Sequence, residues 1–458
     1  MSNPIERPKT LRQRDAVLFT VSAILLPETI ASVASTGASS ISWWFLLALF
    51  FMVPVAMISS ELGCAYPEQG GVYAWVRDAF GGRWASRVTW CYWSNVSLWL
   101  ASIYVIFAGI ASQLFAIEPT LKLQLSIAIG ITWLTVLTNI VTLEFGKWVP
   151  NVGGMVKALL FLGIILGAAN YVSENEMANP LNPQSLAPEL NESLKYLPVI
   201  VYGMLGFELV CASSDEMKNP QRDVPRATLY SGLIVFVLYV GATVAMLAAQ
   251  PAEQINLVEG LVDTLRLFFA DFTFGSLLVM ALGLGTLFAL FSSGVCWALG
   301  SNRAAAEAAC EGELPGWFAT ETRAAGTPIG AALMMGLITT GALLIYGLTA
   351  GSNEDLFWVL FAFSSVLFFL PYLGMVLAFF RLRLQDAEHP RPYSVPGGQI
   401  GALVAAGCCV VVLATAIVLL MYTPGTGTNW SVIIGVLCSL IVGEVLIRIA
   451  ERNRQFGT

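Results

Sequence analysis

Charged side chains are scarce in this chain. Asp, Glu, Lys and Arg make up 12% of its 458 residues, about half of the ~25% found in an average soluble domain. A water-facing surface needs more charge than this, so an ordinary soluble protein is excluded. Hydrophobic residues reach 57% and the mean hydropathy is +0.73. Both values indicate that a lipid bilayer surrounds most of the chain.

Groups that commonly carry catalysis or metals are also missing. His389 is the only histidine, and the eight cysteines contain no CxxC pair. Histidine-based catalysis and multi-histidine metal sites are therefore excluded. No GxxxxGK[ST] phosphate loop occurs, so coupling to ATP has no support. We predict no enzyme activity, no cofactor and no metal. Without a long basic run, nucleic acid is not an expected partner.

Long apolar stretches follow one another along the chain. A transmembrane helix needs about 20 apolar residues to cross roughly 30 Å of hydrocarbon, and about twelve stretches reach that length. They predict an all-α integral membrane protein that forms one polytopic domain over 1–458. The predicted spans are 16–36, 43–62, 84–115, 123–143, 150–172, 196–213, 227–249, 274–301, 327–349, 355–380, 399–422 and 430–448.

The positive charges predict the direction of these spans. If the N-terminus is cytoplasmic, all but four of the 23 Lys and Arg residues fall on the cytoplasmic side. The exceptions are Lys122, Lys195 and Arg266 outside and Lys157 within a span. Because cytoplasmic loops are enriched in Lys and Arg, we predict a multi-pass plasma-membrane protein with both termini in the cytoplasm.

Two of the spans carry a carboxylate beside residues that disturb a helix. Glu28 follows Pro27, and proline removes a backbone hydrogen bond and clashes with the preceding turn. We therefore predict an interrupted helix near 27–32. Glu208 follows Gly203 and Gly206, both poor helix formers. An ionisable residue inside a bilayer is a functional candidate by default. The alternative is an irregular helix with a structural glutamate.

These two interrupted spans lie five helices apart and cross in opposite directions. That arrangement is typical of an inverted repeat with a binding site near the midplane, although two unrelated irregular helices are an alternative. The predicted repeats cover 16–172 and 196–380, with two additional helices over 399–448. Free N–H groups and carbonyls at helix breaks suit a zwitterion. The two glutamates favour an amine-bearing ligand or a proton.

Lys157 and several aromatic residues complete the candidates. A lysine inside a span needs a carboxylate or carbonyls, or it loses its proton. We predict that Lys157 replaces a metal cation or carries a proton, the alternative being a side chain that reaches the membrane surface. Tyr92, Trp93, Trp297 and Tyr372 are candidates to hold an ammonium group and to gate its path. For each aromatic residue alone, core packing is the alternative.

Several segments resemble the amino acid–polyamine–organocation superfamily, and the similarity runs the length of the chain. Three of them are YPEQGGVYAWVRDAFG (66–81), GFELVCASSDEMKNPQRDVPRA (206–227) and RAAAEAACEGELP (303–315). QINLVEGLVDTL (254–265) and YSVPGG (393–398) most resemble its bacterial glutamate/GABA antiporter branch. The resemblance implies the LeuT-like fold of two inverted five-helix repeats plus two helices. It also implies alternating access, a bacterial inner membrane and a homodimer as one assembly.

The resemblance also implies roles for particular residues. Tyr202 matches a position that is usually aromatic in the arginine/agmatine and putrescine/ornithine exchangers, and Glu208 matches their carboxylate. Tyr92 and Trp297 match gating positions. The predicted substrate-binding residues are Glu28, Ile30, Ala31, Ser32, Tyr202, Gly206, Glu208 and Ser364. The predicted gates are Tyr92, Trp93, Trp297 and Tyr372, and the predicted proton or cation couplers are Lys157 and Glu208.

The predicted function is secondary active transport of amino acids or related amines across the plasma membrane. Exchange of two such substrates is favoured, and protons are a second expected partner. Two alternatives remain open. One is a proton-coupled symporter of amino acids or polyamines, and the other is a nutrient sensor that binds without moving its ligand.

Overall fold

The computed structural model describes residues 13–67, 71–118, 120–141, 143–188, 194, 196–211, 217, 219–321, 327–425 and 427–456. Nearly all regular structure in these ranges is helical, and one short hairpin pairs β1 (Tyr422–Thr423) with β2 (Gly427–Thr428). The helices are α1 (Gln13–Ile24), α2 (Thr29–Ala34), α3 (Ser39–Leu47), α4 (Val53–Ala65), α5 (Val72–Phe80), α6 (Gly82–Leu114), α7 (Leu121–Val141), α8 (Leu143–Glu174), α9 (Leu197–Tyr202), α10 (Glu208–Cys211), α11 (Pro220–Ala249), α12 (Gly260–Phe269), α13 (Gly275–Cys310), α14 (Ile329–Gly347), α15 (Asn353–Gln385), α16 (Gly398–Met421) and α17 (Trp430–Phe456).

Ten helical stretches in the described ranges are long and apolar enough to cross a membrane. Their outer surfaces are apolar, as on α11, where Leu229, Leu233 and Val237 are more than half exposed at helical spacing. Such a stripe is stable against lipid and costly against water. The chain is therefore a multi-pass membrane protein. Part of the orientation prediction rests on 1–12, which lie outside the described residues.

The first and sixth predicted spans are each interrupted. The first consists of α1 and α2, separated by 25–28, so the break begins earlier than the predicted 27–32 and Ile30–Ser32 are helical. The sixth consists of α9 and α10, separated by 203–207. Gly206 in that break has a φ of +119°, a conformation that is strained for any residue with a side chain.

Three shorter features were absent from the prediction. The second span contains a π-helix, Ala48–Met52, between α3 and α4. Pro54 at the start of α4 cannot donate a backbone hydrogen bond, and a π-turn is one way to accommodate this. The amphipathic helices α5 and α12 lie between the predicted spans. Both are too short to cross a bilayer, so a search for long apolar stretches does not find them.

The centre of the bundle is formed by α6 and α15. In their most apolar stretches, 89% and 78% of the residues are buried, against 28% in α17. These two helices pack against each other, and α13 packs on α6. The interrupted helices lie beside them, since α1 contacts α8, α10, α11 and α13, and α2 contacts α9, α11 and α12. Both breaks are thereby placed deep in the protein.

Candidate functional site

The break between α1 and α2 leaves backbone groups that the helices do not pair. Tyr239 on α11 satisfies two of them, because its hydroxyl accepts from Leu26 N and donates to Ile24 O, both at 2.8 Å. The indole of Trp44 stacks on the Tyr239 ring, with centroids 4.8 Å apart. Tyr239 was not among the predicted site residues. Its sequence context, an apolar helix, carries no signal of this role.

The break between α9 and α10 lies directly against the first break. A Cβ on Gly206 would come within 2.9 Å of Ile24 Cγ1 and 4.0 Å of Trp297 Cζ2. A Cβ on Gly203 would lie 3.3 Å from the Tyr239 hydroxyl. Tyr239 therefore contacts both breaks, and the two glycines allow the interrupted helices to approach each other.

Both predicted carboxylates lie at these breaks and are almost fully buried. Glu28 is 4% and Glu208 3% exposed. None of their four oxygens has a hydrogen-bond partner among the described residues. An ionised carboxylate buried in this way costs several kcal/mol. The two breaks therefore hold strong acceptors that the protein itself leaves unsatisfied.

Other polar atoms around the breaks are also buried and unsatisfied within the described ranges. Trp99 lies beside the Glu28 carboxyl, Asn95 beside Tyr202, and Tyr372 beside the Glu208 carboxyl. Buried polar atoms usually have a partner, so a cluster without partners marks a place where a ligand could supply the missing hydrogen bonds. The atoms concerned are Ser32 Oγ, Asn95 Oδ1, Trp99 Nε1, Trp297 Nε1 and Tyr372 Oη.

Lys157 brings a positive charge to the first break. Its ammonium donates a 2.6 Å hydrogen bond to Ser22 O on α1, and its side chain is only 2% exposed. It therefore does not reach the membrane surface. Gly154, one turn earlier on α8, allows the close approach, because a Cβ there would lie 2.8 Å from Ser22 Cβ. Glu28 is the carboxylate that acts on Lys157 electrostatically among the described residues.

Four of the predicted aromatic residues meet around one that was not predicted, Phe368 on α15. Their ring centroids lie 4.9 Å (Tyr202), 5.0 Å (Tyr372), 5.8 Å (Trp297) and 6.0 Å (Tyr92) from that of Phe368. We call these five residues the aromatic cluster. Phe368 lies one turn after the predicted Ser364 and one turn before Tyr372, so helical spacing was the available signal.

Several predicted residues lie elsewhere or make other contacts. The Trp93 indole donates to Asn302 Oδ1 at 2.9 Å and packs edge-on against Phe318, outside the aromatic cluster. Ala31 faces α12, where a Cβ on Gly260 would lie 3.8 Å from its own. The Ser364 hydroxyl donates to its own helix, at 2.9 Å from Phe361 O. Ile30 is buried at 1% exposure and offers only an apolar side chain.

A buried charged site between two interrupted helices, inside an apolar bundle, defines a membrane transport protein. The sequence model of the amino acid permease family matches residues 11–443. The chain therefore belongs to the amino acid permease family, part of the predicted superfamily, and is a transporter rather than an enzyme. Because this is a family of permeases, a sensor that does not transport finds no support.

Curated relatives cover nearly the whole chain. The chain is 31% identical over 443 residues to the "Probable agmatine/putrescine antiporter AguD" of Lactococcus lactis subsp. lactis, covering 94% of this chain and 93% of the relative. It is 28% identical to an uncharacterized transporter of Legionella pneumophila, with 88% and 89% covered. A glutamate/gamma-aminobutyrate antiporter of L. lactis is 23% identical, with 85% and 79% covered.

Proposed function

We propose that this transporter exchanges cationic amines across the bacterial plasma membrane. The observation that carries the proposal is the pair of buried, unsatisfied carboxylates, Glu28 and Glu208, at the two breaks. Among the described side chains, Lys157 is the ammonium that acts on Glu28, so these three groups carry one net negative charge when all are ionised. A ligand with one or two ammonium groups offsets that charge and supplies the missing donors.

The names of the relatives support an amine and an exchange mechanism. The relative at 31% identity is named an agmatine/putrescine antiporter and those at 23% are named glutamate/gamma-aminobutyrate antiporters. Two unsatisfied carboxylates disfavour an acidic amino acid, because like charges repel at short range in a low-dielectric site. An amine substrate is therefore preferred over glutamate.

The proposed mechanism is alternating access around the breaks. The ligand ammonium groups would lie at Glu28 and Glu208, near Ser32, Tyr202 and the helix ends. The aromatic cluster would close over them by cation–π contact. Counted with the ten continuous spans, the two interrupted helices would make twelve crossings, ten in two inverted five-helix repeats and two in the additional C-terminal helices. Both termini would be cytoplasmic, as the positive charges indicate.

The test is uptake of radiolabelled putrescine into proteoliposomes, with and without unlabelled putrescine or agmatine inside. We expect uptake only when an amine is present inside, and competition by agmatine but not by glutamate. Uptake of glutamate in preference to putrescine would contradict the substrate proposal. Uptake into empty vesicles driven by an inward proton gradient would contradict exchange.

Site variants test the roles of the carboxylates. Glu28→Gln and Glu208→Gln each remove one charge-assisted contact to the ligand, worth ~1.5–3 kcal/mol. We therefore expect the putrescine concentration for half-maximal uptake to rise about ten- to a hundredfold. The matched control is Glu253→Gln, at an exposed position. Unchanged concentration dependence in both site variants would remove these glutamates from the site.

Proton-coupled symport is the second candidate, supported by Lys157 beside Glu28. A protonation change within this pair would couple the first break to pH. Lys157→Met should then abolish the response of transport to a proton gradient and leave exchange of internal for external amine. If Lys157→Met loses both activities together, Lys157 acts as a fixed cation that supports α1.

A further inference from the structure

A groove of about 650 Å³ lies between α5, α6, α15 and α17, away from the candidate site. Its size falls within the roughly 300–1,000 Å³ typical of small-molecule sites. The walls are mainly apolar and include Val76, Leu370, Leu377, Leu440 and Ile447. Leu377 is 53% exposed, so the groove opens on the outer surface of the bundle. None of the predicted site residues lines it.

The groove and the aromatic cluster occupy opposite faces of α15. Leu370, Gly374, Leu377 and Arg381 recur at helical spacing along the groove face, whereas Phe368 and Tyr372 point to the bundle interior. The groove face therefore looks toward the acyl chains of the bilayer. An apolar hollow in that position is filled by hydrocarbon, because water there would lose hydrogen bonds.

One end of the groove is cationic. Arg87 lies over the Trp84 ring at 4.7 Å and Arg381 over the Phe80 ring at 4.8 Å. Glu444 is the single carboxylate among the residues that line the groove. It forms ion pairs with Arg87 Nε at 3.0 Å and with Arg448 Nε, outside the groove, at 3.2 Å. Among the residues that line the groove, two guanidinium groups, Arg87 and Arg381, against one carboxylate, Glu444, leave one positive charge in excess.

Of the two arginines that line the groove, Arg381 is the one whose hydrogen-bond donors are free. It makes no hydrogen bond or ion pair with any residue in the described part of the chain, and its guanidinium lies over the Phe80 ring. A guanidinium at the membrane surface attracts anionic lipid headgroups and binds phosphate through two parallel hydrogen bonds. The apolar groove continues directly from this guanidinium toward the hydrophobic interior.

We propose that the groove binds one anionic phospholipid, with its phosphate on Arg381 and Arg87 and an acyl chain along Leu377 and Leu440. A second copy of this chain is the competing occupant. A two-fold interface places the same patch on both subunits, which would bring two positive rims together and be repulsive. Charge complementarity therefore favours the lipid.

The test is thermal unfolding of the purified, delipidated full chain in detergent with added lipid. Phosphatidylglycerol should raise the melting temperature of the wild-type protein, whereas phosphatidylcholine and inorganic phosphate should not. In Arg381→Gln, the phosphatidylglycerol concentration that gives half of the shift should rise about tenfold. Arg381→Lys should restore part of the effect. The matched control is Arg303→Gln, at an exposed arginine outside the groove.

Other outcomes would overturn the proposal. An equal shift in wild type and Arg381→Gln would remove Arg381 from lipid binding, and an equal shift with inorganic phosphate would reduce the site to an anion site. Leu377→Trp should fill the groove and lower the number of lipids retained in native mass spectrometry. If it instead converts a dimer into a monomer with lipid retention unchanged, a second copy occupies the groove.

Discussion

Two regions of this protein bury glutamates in opposite ways. Glu61, at the end of α4, is 2% exposed, as little as Glu28 and Glu208 at the breaks. Arg383 donates two hydrogen bonds of 2.7 Å to the Glu61 carboxylate, and Val395 N donates a third of 2.7 Å. At the breaks, Trp99 and Tyr372 lie beside the carboxylates, but no oxygen of Glu28 or Glu208 accepts a hydrogen bond from a described residue.

The difference separates a structural carboxylate from candidate functional ones. Arg391 also lies 3.4 Å from Glu61, and Arg383 donates to Gly398 O at the start of α16. Glu61 thereby joins α4, the end of α15 and the segment that leads to α16. A buried carboxylate with a complete set of donors stabilises this junction. A buried carboxylate without hydrogen bonds destabilises the fold, unless a ligand donates to it or a proton neutralises it.

The largest expected change in stability follows from removing the charge of Glu61, which pairs with Arg383 and Arg391. Glu61→Gln leaves Arg383 and Arg391 without a counter-charge, and breaking a buried pair in this way costs about 3–5 kcal/mol. We expect a large fall in the melting temperature of the purified protein. The matched control, Glu451→Gln at an exposed ion pair with Arg83, should change it little. Equal shifts in both variants would contradict a structural role for Glu61.

The next effect concerns contact between the breaks. Gly206→Ala places a side chain at a φ of +119° and within 2.9 Å of Ile24, which costs about 1–3 kcal/mol in backbone strain alone. Stability and amine uptake should both fall. Gly300→Ala is the control, since nothing lies within 4 Å of its Cβ and replacing a mid-helix glycine gains about 0.5–1 kcal/mol. If Gly206→Ala left both stability and amine uptake unchanged, the two breaks would not be in close contact at Gly206.

An effect of similar size is expected at Tyr239. Tyr239→Phe keeps the ring against Trp44 but leaves Leu26 N and Ile24 O without their partner. Each unsatisfied buried group costs ~1–3 kcal/mol, reduced where water enters. Tyr230→Phe, at an exposed tyrosine on the same helix, should leave the melting temperature unchanged. The same melting temperature for both variants would mean that contacts other than the Tyr239 hydroxyl stabilise the break between α1 and α2.

The smallest effect completes the comparison with Glu61. Glu208→Gln removes a buried charge on which no basic residue acts, so the desolvation cost of that charge is relieved. We expect a melting temperature equal to or above that of the wild type in the same detergent, together with the loss of amine affinity described above. Glu28→Gln should be less stable than Glu208→Gln, because it also removes the carboxylate that acts on Lys157. For Glu208→Gln, a fall as large as that of Glu61→Gln would place Glu208 in a structural network instead.

Local sequence predicted much of this arrangement. Pro27 disturbs a helix through its ring and Gly206 through its freedom at positive φ, so the existence of both interruptions could be read from the residues. The exact start of the first break could not. It lies at residue 25 because Tyr239, 213 residues away, supplies hydrogen bonds to Leu26 and, from the same hydroxyl, to Ile24. Trp93 is an aromatic residue of the kind that forms gates, but its hydrogen bond to Asn302 holds the indole outside the aromatic cluster.

The sequence by itself determined that a lipid bilayer surrounds the protein and which ionisable side chains are available for function. Few charges and long apolar stretches require a bilayer, and rare ionisable residues within those stretches mark candidates. Only the tertiary structure decided which buried glutamates have partners. Val395, 334 residues from Glu61, donates a hydrogen bond to its carboxylate, whereas the oxygens of Glu28 and Glu208 accept no hydrogen bond from a described residue. Because hydrogen bonding depends on distance and direction in space, residue type and local context cannot distinguish the two cases.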